Sequence, residues 1–358
     1  MGFKCGLVGM PNVGKSSIFN LLTAQKIPAN NYPFCTIDPN IAYVKVSDER
    51  LDVLADINKS KNIVNTSIEF VDIAGLIKGA SKGEGLGNEF LSHINSTDVI
   101  AHVVRFFEDK EILHVKENYT PLEDFQDVNL ELILSDLSST EKYLERLKKS
   151  RLDIKGKEKL SDELKHLIEH LSDDKFASSF KFSEELLQCN DFKLLTTKPM
   201  FVIANINNQS NSNEIKQFSE EIDSDIKIIT IDVKLEQDIS ELDESEQKDF
   251  LSELGYEESV LSRIIGTGYQ LLGLKTFFTA GPKETKAWSA KKDFNARDCS
   301  GIIHTDIKKG FIRAETVAYN DYVKHNGEQG SKNSGVWRQE GKNYMVQEGD
   351  VIYFRFNV

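Results

Sequence analysis

Short apolar runs separated by polar connections occupy the first third of the chain and return after residue 198. Apolar runs of this length, bounded by turn residues, are typical of strands buried in a sheet. They predict strands at residues 3–8, 41–46, 67–72, 98–106, 199–205 and 226–231. Because apolar residues at helical spacing follow the first run, we expect an α/β domain.

From residue 128 the apolar residues follow a helical period instead. They form two faces: Leu130, Ile133, Leu134, Leu137, Leu144 and Leu147, then Leu160, Leu164, Leu167 and Leu171. Between them, Lys155-Gly156-Lys157 predicts a turn that breaks the helix. The pattern indicates an antiparallel, coiled-coil-like hairpin inserted into the α/β domain, with its leucines in a core.

From about residue 275 the pattern changes to short strands separated by glycine turns. Residues 311–317 and 350–356 are the clearest of these strands. They predict a small α+β module with a mixed sheet. The predicted domains are therefore a discontinuous α/β domain (1–128 and 199–274), an inserted helical domain (129–198) and a C-terminal domain (275–358).

Composition agrees with this division and narrows the setting. A length of 358 residues suggests two or three domains, and no apolar run is long enough to span a membrane. Since a core strand begins at the N-terminus, we expect no signal or transit peptide. The four cysteines lack disulfide or zinc spacing, so we interpret them as reduced thiols of a cytoplasmic protein.

The net charge of −13 argues against a nucleic-acid partner, but the charge is uneven. Residues 275–358 carry 14 basic and 10 acidic side chains, and residues 141–170 carry 9 basic and 7 acidic ones. These segments allow a polyanionic partner on one side of the molecule. Ordinary solvated faces explain the charge equally well.

The most informative motif lies at Gly9–Ser16: a glycine, four free positions, then Gly-Lys-Ser. A strand before it and a helix after it direct several backbone N–H groups at one point, as a phosphate-binding loop does. We expect Lys15 to reach the β- and γ-phosphates and the Ser16 hydroxyl to bind Mg²⁺. An ordinary glycine turn would not require this agreement of strand, spacing and helix. The predicted phosphate contacts are Asn12, Val13, Gly14, Lys15, Ser16 and Ser17.

A second motif, Asp72-Ile73-Ala74-Gly75, ends the strand predicted at residues 67–72. In nucleotide switches an aspartate at this place holds Mg²⁺ through water, and the glycine amide senses the γ-phosphate. We assign these roles to Asp72 and Gly75. Thr36 lies between the two motifs, where a switch threonine would close onto Mg²⁺. The alternative is a loop threonine that caps a turn.

Together these residues resemble one family. Gly-Met-Pro-Asn-Val-Gly-Lys-Ser, Asn-Tyr-Pro-Phe-Cys-Thr-Ile-Asp-Pro-Asn, Asp-Ile-Ala-Gly-Leu and the ending Gly-Asp-Val-Ile-Tyr-Phe-Arg-Phe-Asn-Val are similar to the Obg-like ATPases, also called the YchF family. The resemblance covers nearly the whole chain. It implies a Ras-like P-loop NTPase domain, an inserted helical coiled-coil hairpin and a C-terminal β-grasp domain of the TGS type.

The resemblance also implies an activity and partners. Members of the family are cytosolic, bind and slowly hydrolyse ATP in preference to GTP, and associate with ribosomes. We therefore expect ATP as the main ligand, with GTP weaker, and Mg²⁺ as cofactor. The large ribosomal subunit is the expected partner. RNA contacts would come from the C-terminal domain and the basic face of the hairpin, with no membrane contact.

The purine-binding motif departs from the family pattern. Most switches of this class recognise guanine through Asn-Lys-x-Asp, whose carboxylate accepts two hydrogen bonds from the base. Here the segment is Asn205-Ile206-Asn207-Asn208, and the family usually has glutamate at the last position. Without a carboxylate at 208, guanine would lose hydrogen bonds worth about 1.5–3 kcal/mol each, which favours ATP. Use of both nucleotides stays open. The predicted base contacts are Asn205, Ile206 and Asn208.

Hydrolysis is expected to be slow. Leu76 stands where Ras-like enzymes carry a glutamine that orients the attacking water, and leucine cannot form that hydrogen bond. The resemblance suggests His114 as the replacement, beside Lys15 and Gly75 at the γ-phosphate. A solvent-facing loop histidine is the alternative for His114. Asn12 is a further hypothesis, as a ligand of K⁺.

Two other functions remain from the sequence. A metabolic phosphotransferase also uses a phosphate-binding loop, but the predicted switch motifs do not favour it. A ribosome- or RNA-binding module with vestigial hydrolysis stays open because of Leu76.

Overall fold

The computed structural model describes residues 2–24, 40–73, 86–109, 112, 114, 119–149, 154–189, 192–207 and 212–357. In these ranges, no helix has the length and apolar character needed to cross a bilayer.

Strands form two separate six-stranded sheets. In chain order they are β1 (Lys4–Val8), β2 (Ile41–Lys45), β3 (Asn62–Val64), β4 (Ser67–Asp72), β5 (Val99–Arg105), β6 (Met200–Asn205), β7 (Lys227–Ile231), β8 (Leu274–Ala280), β9 (Glu284–Lys291), β10 (Phe311–Ala318), β11 (Arg338–Glu340) and β12 (Asp350–Phe356). All the strands predicted from apolar runs are confirmed.

The helices range from one turn to eight. They are α1 (Lys15–Ala24), α2 (Glu49–Asn58), α3 (Leu86–Asn95), α4 (Pro121–Lys149), α5 (Ile154–Ser172), α6 (Glu184–Leu187), α7 (Ser212–Glu221), α8 (Val233–Ser240), α9 (Glu244–Glu253), α10 (Val260–Leu271), α11 (Ala296–Ile303), α12 (Thr305–Lys309), α13 (Tyr319–Lys324) and α14 (Glu328–Asn333). Short 3₁₀ turns lie at Ala177–Ser179 and Leu195–Thr197.

The first sheet has the strand order β2-β4-β1-β5-β6-β7. Only β2 runs antiparallel to its neighbour, and the other five strands are parallel. Burial on both faces explains why these strands are nearly continuous apolar runs. Since the five are parallel, their carboxyl ends lie at one edge, which is where ligands bind in open α/β sheets.

Helices α4 and α5 form the predicted antiparallel hairpin. Leu144 and Leu147 near the end of α4 pack with Leu160 and Leu164 near the start of α5. Ile133, earlier in α4, packs with residues at the end of α5. Leucines from both predicted faces are therefore in the core, and the prediction of two facing helices is confirmed.

Two details of the hairpin differ from the prediction. Lys155-Gly156-Lys157 lies within the first turn of α5, so the predicted turn there is wrong. Helix α4 ends at Lys149 and α5 begins at Ile154. One glycine costs a helix only about 1 kcal/mol, which neighbouring contacts can offset. Leu130, placed on the buried face, is 39% exposed.

Helix α4 also crosses the predicted boundary at 128/129. It begins at Pro121, and Phe125, Val128 and Leu132 pack into the core of the first sheet. The hairpin is thus a continuation of a helix that belongs to the α/β core. The first turns of α4 therefore anchor the hairpin to the sheet.

The second sheet forms the C-terminal part, with the order β11-β10-β12-β8-β9-β3. It contains parallel and antiparallel pairs, as the prediction of a mixed sheet required.

One strand of this sheet comes from the N-terminal third. Strand β3 pairs in parallel with β9, and Leu51 and Leu54 of α2 pack with Phe278, Val317 and Tyr322. The predicted boundaries place residues 49–64 in the α/β domain, whereas these residues pair and pack with the C-terminal sheet. The segment between β2 and β4 therefore joins the two sheets.

Candidate functional site

The loop between β1 and α1 has the backbone of a phosphate-binding loop. Gly9 and Gly14 adopt φ values of 153° and 100°, and Asn12 has φ 61°. A Cβ on Gly9 would lie 2.4 Å from the Val103 carbonyl oxygen. Both the backbone angles and the close approach exclude larger side chains, as a loop that wraps around phosphate requires.

Lys15 is held over this loop. Its Nζ donates to the carbonyl oxygens of Gly9 (3.1 Å) and Met10 (2.6 Å), and the residue is 6% exposed. Burial lowers the pKa of Lys15 to about 8, while the nearby Asp72 carboxylate acts in the opposite direction. A buried ammonium at a helix N-terminus is a strong partner for a polyphosphate.

Ser16 and Asp72 form the expected metal pair. The Ser16 hydroxyl donates to Asp72 Oδ2 at 3.3 Å, and Asp72 Oδ1 is buried with no hydrogen-bond partner in the described residues. Burial raises the pKa of Asp72, opposed by Lys15 and Ser16. A hydroxyl and a carboxylate oxygen are hard ligands of the kind Mg²⁺ prefers, so this pair fits the ion.

A cleft of about 1290 Å³ extends from Lys15 and Ser16 along the sheet edge. At its far end lie the residues that follow β6 and β7. Among the predicted nucleotide contacts, those that line it are Asn12, Gly14, Lys15, Ser16, Ser17, Asn205 and Ile206. The structure therefore brings the predicted phosphate and base residues together in one cleft.

Asn205 connects the two ends of the cleft. It is 4% exposed, and its Nδ2 donates to the Val13 carbonyl oxygen at 2.9 Å. A Cβ on Gly14 would lie 2.2 Å from the same Nδ2. Val13 is buried, so it supports the loop through its backbone.

The His114 side chain is buried, so the alternative of a solvent-facing loop histidine is wrong. Its Nε2 lies 2.8 Å from Asp124 Oδ2, and the two side chains are 4% and 2% exposed. The imidazole stacks on Tyr119, with ring centroids 3.5 Å apart. Ile112, two residues earlier, lines the cleft. Asp124 therefore fixes the orientation of the His114 ring, which is buried behind the cleft-lining segment and does not itself line the cleft.

Three predicted site residues lie outside the described residues: Thr36, Gly75 and Asn208.

Arg105 is a site residue that the sequence did not identify. It ends β5, and its guanidinium donates to the carbonyl oxygens of Phe107 (2.9 Å) and Ile112 (3.1 Å). The guanidinium also lies 4.4 Å from the centroid of the Phe107 ring. These contacts hold the segment that forms one wall of the cleft. A charged residue at the end of a mostly apolar strand was the available signal.

His102, on β5 beside Val8, gives a prediction about pH. Burial, and secondarily the Lys15 charge, lowers its pKa from the ordinary 6.5 to about 3. Between pH 6.5 and pH 3, His102 is protonated in the unfolded chain but stays neutral in the folded chain. The free energy of unfolding therefore decreases as the pH falls through this range. We expect the free energy of unfolding to drop by about 2 kcal/mol between neutral pH and about pH 5 from this residue.

Urea denaturation of the wild type and His102→Gln at both pH values measures this contribution. The variant should lose that part of the pH dependence, whereas the exposed His166→Gln should keep it. Equal pH dependence in all three proteins would contradict the assignment.

Comparisons with known proteins extend over the whole chain. The family model YchF-GTPase_C, described as a protein of unknown function (DUF933), matches residues 274–357, and one described as a 50S ribosome-binding GTPase matches residues 4–149. The proteins named Ribosome-binding ATPase YchF from Haemophilus influenzae and Bacillus subtilis are 47% and 46% identical to this chain, over 100% of both chains in each case. The solved structure of the Schizosaccharomyces pombe YchF GTPase superposes with a TM-score of 0.84 at 35% identity, covering 99% of this chain and 98% of that one.

Proposed function

The chain belongs to the YchF family, and we propose that it is a cytoplasmic, ribosome-binding ATPase that hydrolyses ATP slowly and uses GTP less well. The observation that carries this proposal is the single cleft that joins Lys15 and Ser16 to Asn205. Similarity over the full length to proteins named as ribosome-binding ATPases supports the ribosome as partner and ATP as nucleotide.

The residues in the cleft suggest how ATP is held. The loop amides and Lys15 bind the β- and γ-phosphates, where the buried ammonium offsets the negative charge that develops during phosphoryl transfer. Ser16, together with Asp72 acting through water, would hold Mg²⁺, which neutralises phosphate charge. Thr36 and Gly75 are proposed to respond to the γ-phosphate, which makes the protein a conformational switch.

Slow hydrolysis follows from the identity of residue 76. Leu76 cannot form a hydrogen bond to the attacking water, and we assign the role of orienting that water to His114. The Asp124 carboxylate holds the imidazole by a 2.8 Å contact, which restricts the ring to one orientation. A positioned histidine contributes about a hundredfold or more to proton-transfer steps. Asn12, which lines the cleft, is proposed to assist in binding K⁺.

The proposed ribosomal contact is with the large subunit, and the C-terminal TGS-like domain carries an RNA-binding surface. At one end of its sheet, Arg313 and Arg355 are register partners that both form ion pairs with Glu315, and Phe356, next to Arg355 in the chain, is exposed. Basic and aromatic side chains at one end of a sheet suit an RNA partner, because phosphate contacts and base stacking both contribute to binding. The basic face of the α4–α5 hairpin is the second proposed contact.

Phosphate release from ATP and GTP, with and without ribosomes, tests the proposal. The wild type should release phosphate from ATP faster than from GTP and should sediment with ribosomes. His114→Ala should reduce turnover about a hundredfold while ATP binding persists. His170→Ala is the matched control, because His170 is also hydrogen-bonded through Nε2 but lies on α5. No phosphate release by the wild type would instead favour a binding module with vestigial hydrolysis.

A further inference from the structure

The end of the cleft farthest from Lys15 carries a carboxylate for which no role has been assigned. We propose that Asp232 selects the purine by accepting a hydrogen bond from the 6-amino group of adenine. This inference rests on the proposed function, since it concerns the base of the nucleotide held in the same cleft. The predicted base-contacting motif after β6 ends in an amide, Asn208, and Asp232 would supply a carboxylate from the segment after β7 instead.

Strand order places Asp232 at the distance of a base. Three strand spacings separate β1, which leads into the phosphate loop, from β7, which leads into Asp232. At about 4.8 Å per spacing this is about 14 Å, enough for the sugar and base of a nucleotide whose phosphates lie at Lys15. Ile231 at the end of β7 is the register partner of Asn205 at the end of β6, so Asp232 lies one residue beyond the level of Asn205. Both residues line the cleft.

The Asp232 side chain has a fixed orientation. It caps helix α8, and its Oδ1 accepts hydrogen bonds from the backbone N–H groups of Lys234 and Leu235, both at 3.1 Å. Its Oδ2 has no hydrogen-bond partner within the parts of the chain that the structure describes. One oxygen therefore holds the carboxylate in place, and the other remains available to a ligand in the cleft.

The chemistry of a carboxylate oxygen sets which purine it accepts. An ionised carboxylate is an acceptor only, so it binds the 6-amino group of adenine and repels the 6-oxo group of guanine or hypoxanthine. Asp232 thus discriminates at position 6 in favour of adenine.

Substitution Asp232→Asn keeps the size of the side chain, removes its negative charge and replaces one acceptor oxygen with a donor. The amide oxygen can keep the helix cap, while the amide nitrogen becomes a donor toward the base. Dissociation constants for ATP and ITP are measured by calorimetric titration, because ITP carries 6-oxo in place of 6-amino. The wild type should prefer ATP. In Asp232→Asn the ATP:ITP preference should fall by about tenfold to a hundredfold, the size expected for a hydrogen bond to a charged group.

Two further variants complete the test. Asp232→Ser keeps a capping side chain and removes the second oxygen, so it should lose the ATP preference without gaining ITP affinity. Asp238→Asn, on the same rim of the cleft, should leave the ratio unchanged. If the wild type binds ATP and the ratio stays the same in both Asp232 variants, the inference is overturned while the proposed function stands. If the wild type binds neither nucleotide, the proposed function fails first.

Discussion

Replacing Lys15 with alanine is expected to reduce ATP turnover at least a hundredfold, the effect typical of removing one preorganised group that stabilises a developing charge. Lys15 is the buried cation of the phosphate loop, and its ammonium now binds the carbonyl oxygens of Gly9 and Met10. Triphosphate oxygens would offer it stronger, charge-assisted partners. Phosphate release at saturating ATP, together with a thermal melt, measures the effect.

Lys275 offers the matched control for this substitution. It is also buried, and its Nζ donates to the backbone carbonyl oxygens of Lys292, Phe294 and Val346, but it lies on β8 in the second sheet. Lys275→Ala should lower the melting temperature and leave turnover per folded molecule unchanged. Lys15→Ala should lose turnover per folded molecule and keep its melting temperature. A Lys15→Ala protein with normal turnover would remove Lys15 from the site.

Gly14→Ala is expected to weaken ATP binding about a hundredfold. The new Cβ would lie 2.2 Å from Asn205 Nδ2, so the Asn205–Val13 hydrogen bond must break or the loop must shift. The φ of 100° adds backbone strain of about 1–2 kcal/mol for a residue with a side chain. Because a shift of about 1 Å in a binding loop is enough to cost a hundredfold, affinity should suffer more than folding. Calorimetric titration with Mg²⁺ and ATP measures it.

Gly255→Ala separates the clash from the strain. Gly255 also has a positive φ, 77°, but a Cβ there meets nothing within 4 Å. This variant should lose stability through strain alone and bind ATP normally. If Gly14→Ala and Gly255→Ala bound ATP equally well, the contact between Gly14 and Asn205 would have no part in shaping the loop.

Sequence predicted the strands and the phosphate loop because their signals are local. Buried parallel strands are apolar on both faces, so their positions follow directly from the composition of short segments. In the loop, spacing identifies Gly14 and Lys15, since glycine tolerates the positive φ at low cost and lysine carries the charge that phosphate requires.

The start of α4 was also present in the sequence, although the predicted boundary missed it. Thr120 and Glu123 form a reciprocal capping box around Pro121: Glu123 N donates to Thr120 Oγ1 at 3.2 Å, and Thr120 N donates to Glu123 Oε2 at 3.1 Å. Proline is favoured at the first helical position. This signal places Asp124 in the first turn of a helix, ten residues after His114.

Other features have no local signal. Strand β3 is three residues long and pairs with β9 more than 200 positions later, so its placement depends on the tertiary structure. The contact between His114 and Asp124 likewise depends on how a loop meets a helix. Asp232 looked like an ordinary helix cap until strand order placed it at the end of the cleft.

The central claim is that the loop at Gly9–Ser16 binds a purine triphosphate. Isothermal titration calorimetry of the full chain with ATP and Mg²⁺ tests it most directly, repeated with GTP and with the Lys15→Ala variant. We expect saturable heat at one site per chain for ATP, a weaker response to GTP and weakened ATP binding in the variant. Absence of heat for both nucleotides in the wild type would contradict the claim.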